Sequence, residues 1–399
     1  MKKTKKDFVG FNISSVKIVF HKHMIHTATE AILSRYTKNH CIMTIPKRSS
    51  LHSIMKIAIC FGTRPEIIKL CLLSKKIAKH FDVINIFTGQ HHSLYEDVKH
   101  LIPKINHKLK VDEYNNINAL YANLINELYQ CFEQCKPDVV IVQGDTASTY
   151  CAAFCAFMTG IQIGHVEAGL RTYNMTSPFP EEFNRQTVSK MTNLNWCPSQ
   201  KAANNLIDEK VKGKIFVTGN TIVDFIQTVI TNISRNNEII VTLHRRENEN
   251  SFLSILTQIN SIARKYPNIH FIFPVHPNPT IKNKLNVLKE KNIFICKPMS
   301  YESFVDRMSK CCGIITDSGG IQEEAVCLKK KILICRDTTE REEVLECGIG
   351  KLIATNVENN FEWLITPLQS CNINNPYGNG KACEKIIDTL IEMNGRMSR

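Results

Sequence analysis

From Met55 onward, short β-branched runs alternate with helical stretches, and this alternation limits the fold more than any other feature of the chain. KIAICF (56–61) is followed by the helical pattern IIKLCLLSKKIAKH and then by VINIFT (83–88). DVVIV (138–142) leads into a helix from Thr146 to Met158 and then QIGHV, and LNWCPS and KIFVTG complete a first block. After the polar break SRNNE (234–238) the order restarts with EIIVTL, HFIFPV, NIFIC, GIITD and KILIC, separated by helical patterns. Such alternation predicts parallel sheets covered by helices on both faces. The expected fold is α/β: two Rossmann-like doubly wound domains, residues 55–232 and 233–399, hinged near 230–238 across a cleft, with the C-terminal helix returning toward the first.

The loops at the strand ends carry the chemistry. They read GTRPE, TGQHH, QGDTAS, HVEAGLR, TGNT, LHRREN, PVHPNP, TDSGG and RDTTER. In open parallel sheets, ligands bind beyond the carboxyl ends of the strands, where these loops fall. The stretch HVEAGLRTYNMTSPFPEEFNR, His165 to Arg185, has neither helical nor strand periodicity through its middle, yet GIQIGHV delivers Glu167 straight out of a core. It is read as one wall of the cleft.

Composition excludes several classes. At 43% hydrophobic and 22% charged the chain has globular composition, without the ~20-residue apolar run of a membrane span or a secretory signal near Met1. Sixteen cysteines are scattered without a CxxC, so reduced thiols in a cytoplasmic protein are expected. Residues 1–54 hold ten Lys/Arg against Asp7 and Glu30, which accounts for eight of the thirteen excess positive charges. The basic signal belongs to that extension, which is expected to be disordered or loosely packed outside the fold and unnecessary for catalysis; the body is not read as nucleic-acid binding.

Several constellations admit two readings from the residues alone. In DSGGIQEE, Ser318, Gly319 and Gly320 end a strand and open a helix, where free N–H groups suit a phosphate or form only a tight turn. Glu324, one turn in, could reach ribose hydroxyls. Arg64, with Lys69 a turn later, could neutralise a diphosphate or be solvated. His244, past a buried strand and beside Arg245, Arg246 and Glu247, is structural or catalytic. Asp145 is an N-cap for the helix at Thr146 or a carboxylate aimed into the cleft, and His276 in PVHP leans structural. No cluster has metal-ligand spacing, and neither a GxSxG elbow nor a Walker loop is present.

Taken in order, GTRPE, GDT, GHVEAGLRT, SPFPEEFNR, TGNT, HRREN, PVHPNP, TDSGGIQEEA, RDTTER and the terminal NPYGNG resemble the non-hydrolysing UDP-N-acetylglucosamine 2-epimerase family. The resemblance spans Met55 to the end. It implies the glycosyltransferase-B arrangement with a nucleotide sugar between the domains, no cofactor or metal, a homodimer, and ManNAc supplied for surface polysaccharide. The implied reaction interconverts UDP-GlcNAc and UDP-ManNAc by eliminating UDP to 2-acetamidoglucal and adding it back. That chemistry needs acid/base groups at both faces of C2 and a clamp on the leaving diphosphate.

By motif, the resemblance places Asp145, Glu167 and Glu181 at the sugar, followed by Glu182, with Arg171 and Arg185 holding the carboxylates and His244 near the glycosidic oxygen or the diphosphate. Arg64 and Lys69 would contact substrate from the first domain. Ser318, Gly319, Gly320, Glu324 and Arg341 would bind phosphate and ribose, with Met299 and Phe304 at uracil. The chain departs from the family pattern at Glu342, which replaces a proline, at Met299, and at Ser93 after TGQHH, where a second, activating site is built in many members. The alternatives are a UDP-sugar-dependent glycosyltransferase, a hydrolysing 2-epimerase releasing ManNAc, and a non-enzymatic nucleotide-sugar sensor, which would not need Asp145, Glu167 and Glu181 together.

Overall fold

A computed structural model describes residues 8–13, 16–21, 54–90, 98–102, 104–111, 116–230, 232–244, 251–275, 284–368 and 374–397. The chain divides into two compact units, Met1–Ser53 and Ile54–Arg399. In the first, β1 (Phe8–Ile13) pairs antiparallel with β2 (Val16–His21), Ile13 opposite Val16. FVGFNI and VKIVFH are β-branched and aromatic enough to pair as strands.

Among the described residues, the second unit contains two wholly parallel sheets. The first comprises β3 (Lys56–Phe61), β4 (Asp82–Phe87), β5 (His107–Lys108), β6 (Val139–Gln143), β7 (Gln162–Val166), β8 (Leu194–Cys197) and β9 (Lys214–Val217), in the order β5-β4-β3-β6-β7-β8-β9. The second comprises β10 (Glu238–Thr242), β11 (His270–Pro274), β12 (Ile293–Cys296), β13 (Gly313–Thr316), β14 (Ile332–Ile334) and β15 (Gly350–Leu352), in the order β12-β11-β10-β13-β14-β15. Each order reverses direction once, between β3 and β6 and between β10 and β13, and ligands of open sheets sit at such switch points. The two units of sheet and helices, called lobes below, form a glycosyltransferase-B-like α/β fold.

The helices that matter most lie near the junction. α1 (Arg64–Ile77) starts at Thr63, with Pro65 in its first turn and Glu66 closing a capping box. α2 (Ile117–Cys135), α3 (Ala147–Met158) and α4 (Glu181–Met191) pack along one face of the first sheet, followed by α5 (Gln200–Asp208) and α6 (Thr221–Val229). In the second lobe α7 (Phe252–Lys265), α8 (Tyr301–Lys310), α9 (Gly319–Cys327), α10 (Glu343–Glu346) and α11 (Phe361–Ile365) precede α12 (Ala382–Met397). α6 touches α1 and α12 on one side and α8 and α9 on the other. Its Ile222, Val223, Phe225 and Ile226 join Tyr301, Val305, Met308, Ile321 and Val326 in one apolar core that runs through both lobes. The lobes therefore meet over an apolar seam.

Candidate active site

The first-lobe wall is built around buried acids. Glu66 accepts from the Gly62 and Thr63 amides at 3.0 and 2.7 Å, while Thr146 Oγ1 donates to its other oxygen at 2.8 Å. One carboxylate thus ties together the GTRPE and QGDTAS loops, the two sides of the first switch point. Gly62 has no alternative, because a Cβ there would lie 2.1 Å from both Ser148 Oγ and Thr88 Oγ1. Behind them His165 sits fully buried, its Nε2 2.8 Å from the Gly144 carbonyl oxygen. Burial pushes its pKa down to about 4, so the ring is neutral near pH 7 and Nε2–H is the donor. It steadies the Gly144 turn, φ +73°, that carries Asp145.

Glu167 follows β7 in the left-handed region at φ +66°, a conformation that costs a non-glycine residue on the order of 1–3 kcal/mol. The surroundings enforce it: Lys69 Nζ pairs with the carboxylate, Asn220 Nδ2 donates at 3.1 Å and Arg341 Nη2 at 3.3 Å. Burial raises its pKa, but the charges of Lys69 and Arg341 outweigh that and hold it below the usual carboxylate range. Asp145 pairs with Arg185, whose guanidinium also reaches Glu182 at 3.3 Å and Glu340 at 3.6 Å. Glu182 accepts from the Thr172 and Tyr173 amides, both at 3.0 Å, and so folds the polar loop back on its own helix. Glu181, the first residue of α4, is half-buried.

The second-lobe wall offers anion-binding geometry and a supported histidine. The His244 amide donates to both oxygens of Asp317, at 3.1 and 3.0 Å, and its Nδ1 lies 3.4 Å from Asp317 Oδ1. Asp317 is fully buried whereas the His244 side chain is 36% exposed, so the acid orients a histidine whose ring is partly exposed. Ser318, Gly319 and Gly320 then open α9. A Cβ on Gly319 would sit 2.7 Å from Arg341 Nη1, while at Gly320 it would meet nothing within 4 Å. Bare amides at a helix N-terminus beside open space suit a phosphate. Glu324, on the same helix, accepts from Tyr301 Oη at 2.8 Å. Its other oxygen is buried without a hydrogen-bond partner, and burial lifts its pKa to about 7. Arg64 Nη2 donates across the junction to the Met299 carbonyl at 3.3 Å, and Phe304 is half-buried against the apolar seam.

The family model for UDP-N-acetylglucosamine 2-epimerase matches residues 75–391. The UDP-N-acetylglucosamine 2-epimerase of Campylobacter jejuni is 39% identical over 376 residues, covering 85% of this chain and 98% of its own. The chain belongs to the UDP-N-acetylglucosamine 2-epimerase family. Membership makes it an epimerase, and so an isomerase. Two solved structures agree: the Neisseria meningitidis UDP-GlcNAc 2-epimerase bound to UDP-GlcNAc, 36% identical with TM-score 0.79, and the Methanocaldococcus jannaschii enzyme in complex with UDP-GlcNAc and UDP, 32% identical with TM-score 0.75. Each match covers 85% of this chain and 100% of the other.

Within that family frame, the structure sorts the residues expected from sequence. It brings Lys69, Glu167 and Arg341 into contact, joins Asp145 to Arg185, and sets Ser318–Gly320 against Arg341. Asp145 is not a helix cap: Thr146 caps α3, its side chain accepting from the Thr149 amide. Arg171 does not hold the cleft acids; its guanidinium is bound by Glu209 at 2.7 Å and Ser189 at 2.9 Å. Lys69 and Arg341, expected at substrate, are here committed to carboxylates. Arg245, Arg246, Glu247, His276, His91, His92 and Ser93 lie outside the described residues.

Glu66, Asp317, Glu323 and Glu340 do not stand out in the sequence, although each is buried and charged. Among the described residues every cysteine is free, no metal-ligand cluster occurs, and no helix is long and apolar enough to cross a membrane. Clefts of about 340 and 160 Å³ flank Thr172 and Glu342. They lie beside the acid-bearing loop rather than at Glu167 or His244.

Proposed function

We propose that the protein interconverts UDP-GlcNAc and UDP-ManNAc without net hydrolysis. A carboxylate removes the C2 proton as the C1–O bond to UDP breaks, leaving 2-acetamidoglucal. UDP then re-adds at C1 while a proton arrives on the opposite face of C2. Asp145, Glu167 and Glu181 are the proton-transfer candidates, His244 faces the leaving oxygen, and the start of α9 receives the diphosphate, with Arg64, Met299, Phe304 and Glu324 toward the nucleoside. The observation that carries this reading is the position of Arg341, whose guanidinium contacts Glu167 and also lies where a Gly319 side chain would begin. A diphosphate at α9 would thus sit one side chain away from the acids. The relatives' complexes with UDP-GlcNAc and UDP support the same ligand here. A homodimer accords with exposed Phe157, Met158 and Phe183 on the outer helices. The UDP-ManNAc formed would supply ManNAc units for surface polysaccharide in the cytoplasm.

The test is turnover of UDP-GlcNAc in heavy water, followed by NMR. The expected result is UDP-ManNAc carrying deuterium at C2, with no free sugar. Glu181→Gln and Asp145→Asn should each lose ~10²–10⁴-fold in kcat while UDP affinity holds, because the nucleotide is gripped by the other lobe. Release of free ManNAc would indicate a hydrolysing enzyme. An unchanged C2 configuration would overturn the reading altogether.

A further inference from the structure

Four buried charges close a ring between the lobes. Lys69 pairs with Glu167 inside the first lobe, and Arg341 Nε donates to Glu323 Oε1 at 2.8 Å inside the second. Across the junction Lys69 Nζ lies 2.8 Å from Glu323 Oε2, and Arg341 Nη2 lies 3.3 Å from Glu167 Oε1. Each lobe therefore contributes one cation and one carboxylate. Either half is neutral and paired by itself, and the ring is complete only when the lobes meet. Stability does not explain it, because buried ion pairs are often matched or bettered by apolar side chains of similar volume.

We propose that Glu323 is a positioning residue for epimerisation: by holding Lys69 and Arg341 it keeps either cation from being given wholly to Glu167, so that Glu167 stays aimed and able to exchange a proton. This rests on Glu167 as a proton-transfer group, as proposed above. Two undiluted cations on one buried carboxylate would favour its charged form and weaken it as a base. Glu323 divides their field.

The other groups around the ring do not supply that charge in its place. On the Glu167 side stand His165, neutral near pH 7, and Asp145, which is engaged by Arg185. Glu340 takes Arg341 Nη1 but is also drawn on by Arg336 at 3.0 Å and Arg185 at 3.6 Å. On the Glu323 side, Glu324 is lifted by burial to about 7, and burial keeps the Tyr377 phenol and Cys327 thiol protonated. Glu323 itself is fully buried, and desolvation raises its pKa despite Arg341.

Glu323→Gln keeps the shape and removes the charge. The expected result is a loss of about tenfold or more in kcat, with KM and UDP affinity within about threefold of wild type. The acid limb of the kcat–pH profile should also move to lower pH, since Lys69 and Arg341 then act on Glu167 alone. Glu323→Asp restores the charge and should return the limb to its wild-type position. An acid limb unmoved in Glu323→Gln, or a loss confined to KM, would overturn the proposal. Should Glu323→Gln fail to fold, Glu323→Asp decides: reduced kcat with the limb in place supports the role, and a displaced limb refutes it. Wild-type enzyme that leaves C2 unchanged would remove both this role and the proposed reaction. C2 deuteration with an unmoved limb in Glu323→Gln would remove only this role.

Discussion

Glu324 shows how one side chain can couple the site to pH. Its carboxyl is raised from 4.5 to about 7, first by burial, with Tyr301 and Lys69 pulling the other way. A group whose folded pKa lies above its unfolded value holds its proton more tightly in the folded state. Its contribution to stability is therefore full below about 4.5 and is lost as pH rises through about 7, by on the order of 3 kcal/mol. The ligand-free protein should melt at lower temperature at pH 8 than at pH 5, and Glu324→Gln should flatten that slope; a variant with the wild-type slope would place the titration elsewhere. Single residues also mark where sequence reading stops. The motifs lead to Glu167, Arg341 and the Ser318 turn because strand ends and glycine pairs are local signals. They point to Glu324 rather than to its neighbour Glu323, because the partner of Glu323, Lys69, lies 254 residues away and only the assembled lobes reveal it. Arg171 misleads for the converse reason: proximity in sequence says nothing about the direction of a side chain.

At the level of elements, α12 is the connection that returns the chain to the first lobe. Asp224, on α6, accepts from the Ala382 and Cys383 amides at 3.0 and 2.9 Å, so a carboxylate of one helix caps another that starts 158 residues later. Trp196 Nε1 donates to Thr389 Oγ1 at 2.9 Å, and Cys383, Ile386, Ile387 and Leu390 bury the helix's apolar face. Asp224→Ala should cost about 0.5–2 kcal/mol, the range for losing a helix cap, seen as a lower denaturant midpoint with an unchanged slope. A midpoint equal to wild type would mean the apolar face alone docks the helix. The alternation that predicts the sheets is legible because a strand buried on both faces reads as an unbroken β-branched run, as in VVIVQ and ILI. The hairpin β1–β2 is not, because a basic, hydroxyl-rich composition masks two short β-prone runs.

Across the whole molecule, the ring and the seam give closure a mechanism. α6 packs against elements of both lobes through Ile222, Phe225 and Ile226, and Phe225 lies 5.7 Å from Tyr301, ring to ring. Non-directional contacts of this kind let one lobe roll over the other at small cost. The polar contacts above the seam are directional and register a single closed angle: the ring, Arg64 to the Met299 carbonyl, and Ser199 to Glu343. Rim pairs such as His100–Glu302, 2.8 Å apart, and Lys201 with Glu342 and Glu346 are exposed, and such pairs contribute only about 0–1 kcal/mol. A diphosphate at the start of α9 would therefore tip the balance where the rim cannot, by adding a ligand that both walls contact and by excluding water from the acids. Saturating UDP should shrink the radius of gyration measured by small-angle scattering. Glu323→Gln, which keeps the shape and weakens only the charge of the Lys69 contact across the junction, should reach the same compact form within about threefold of the wild-type UDP concentration. Superimposable scattering profiles with and without UDP would show that the lobes are already locked, leaving the ring a static part of the site rather than a closure contact.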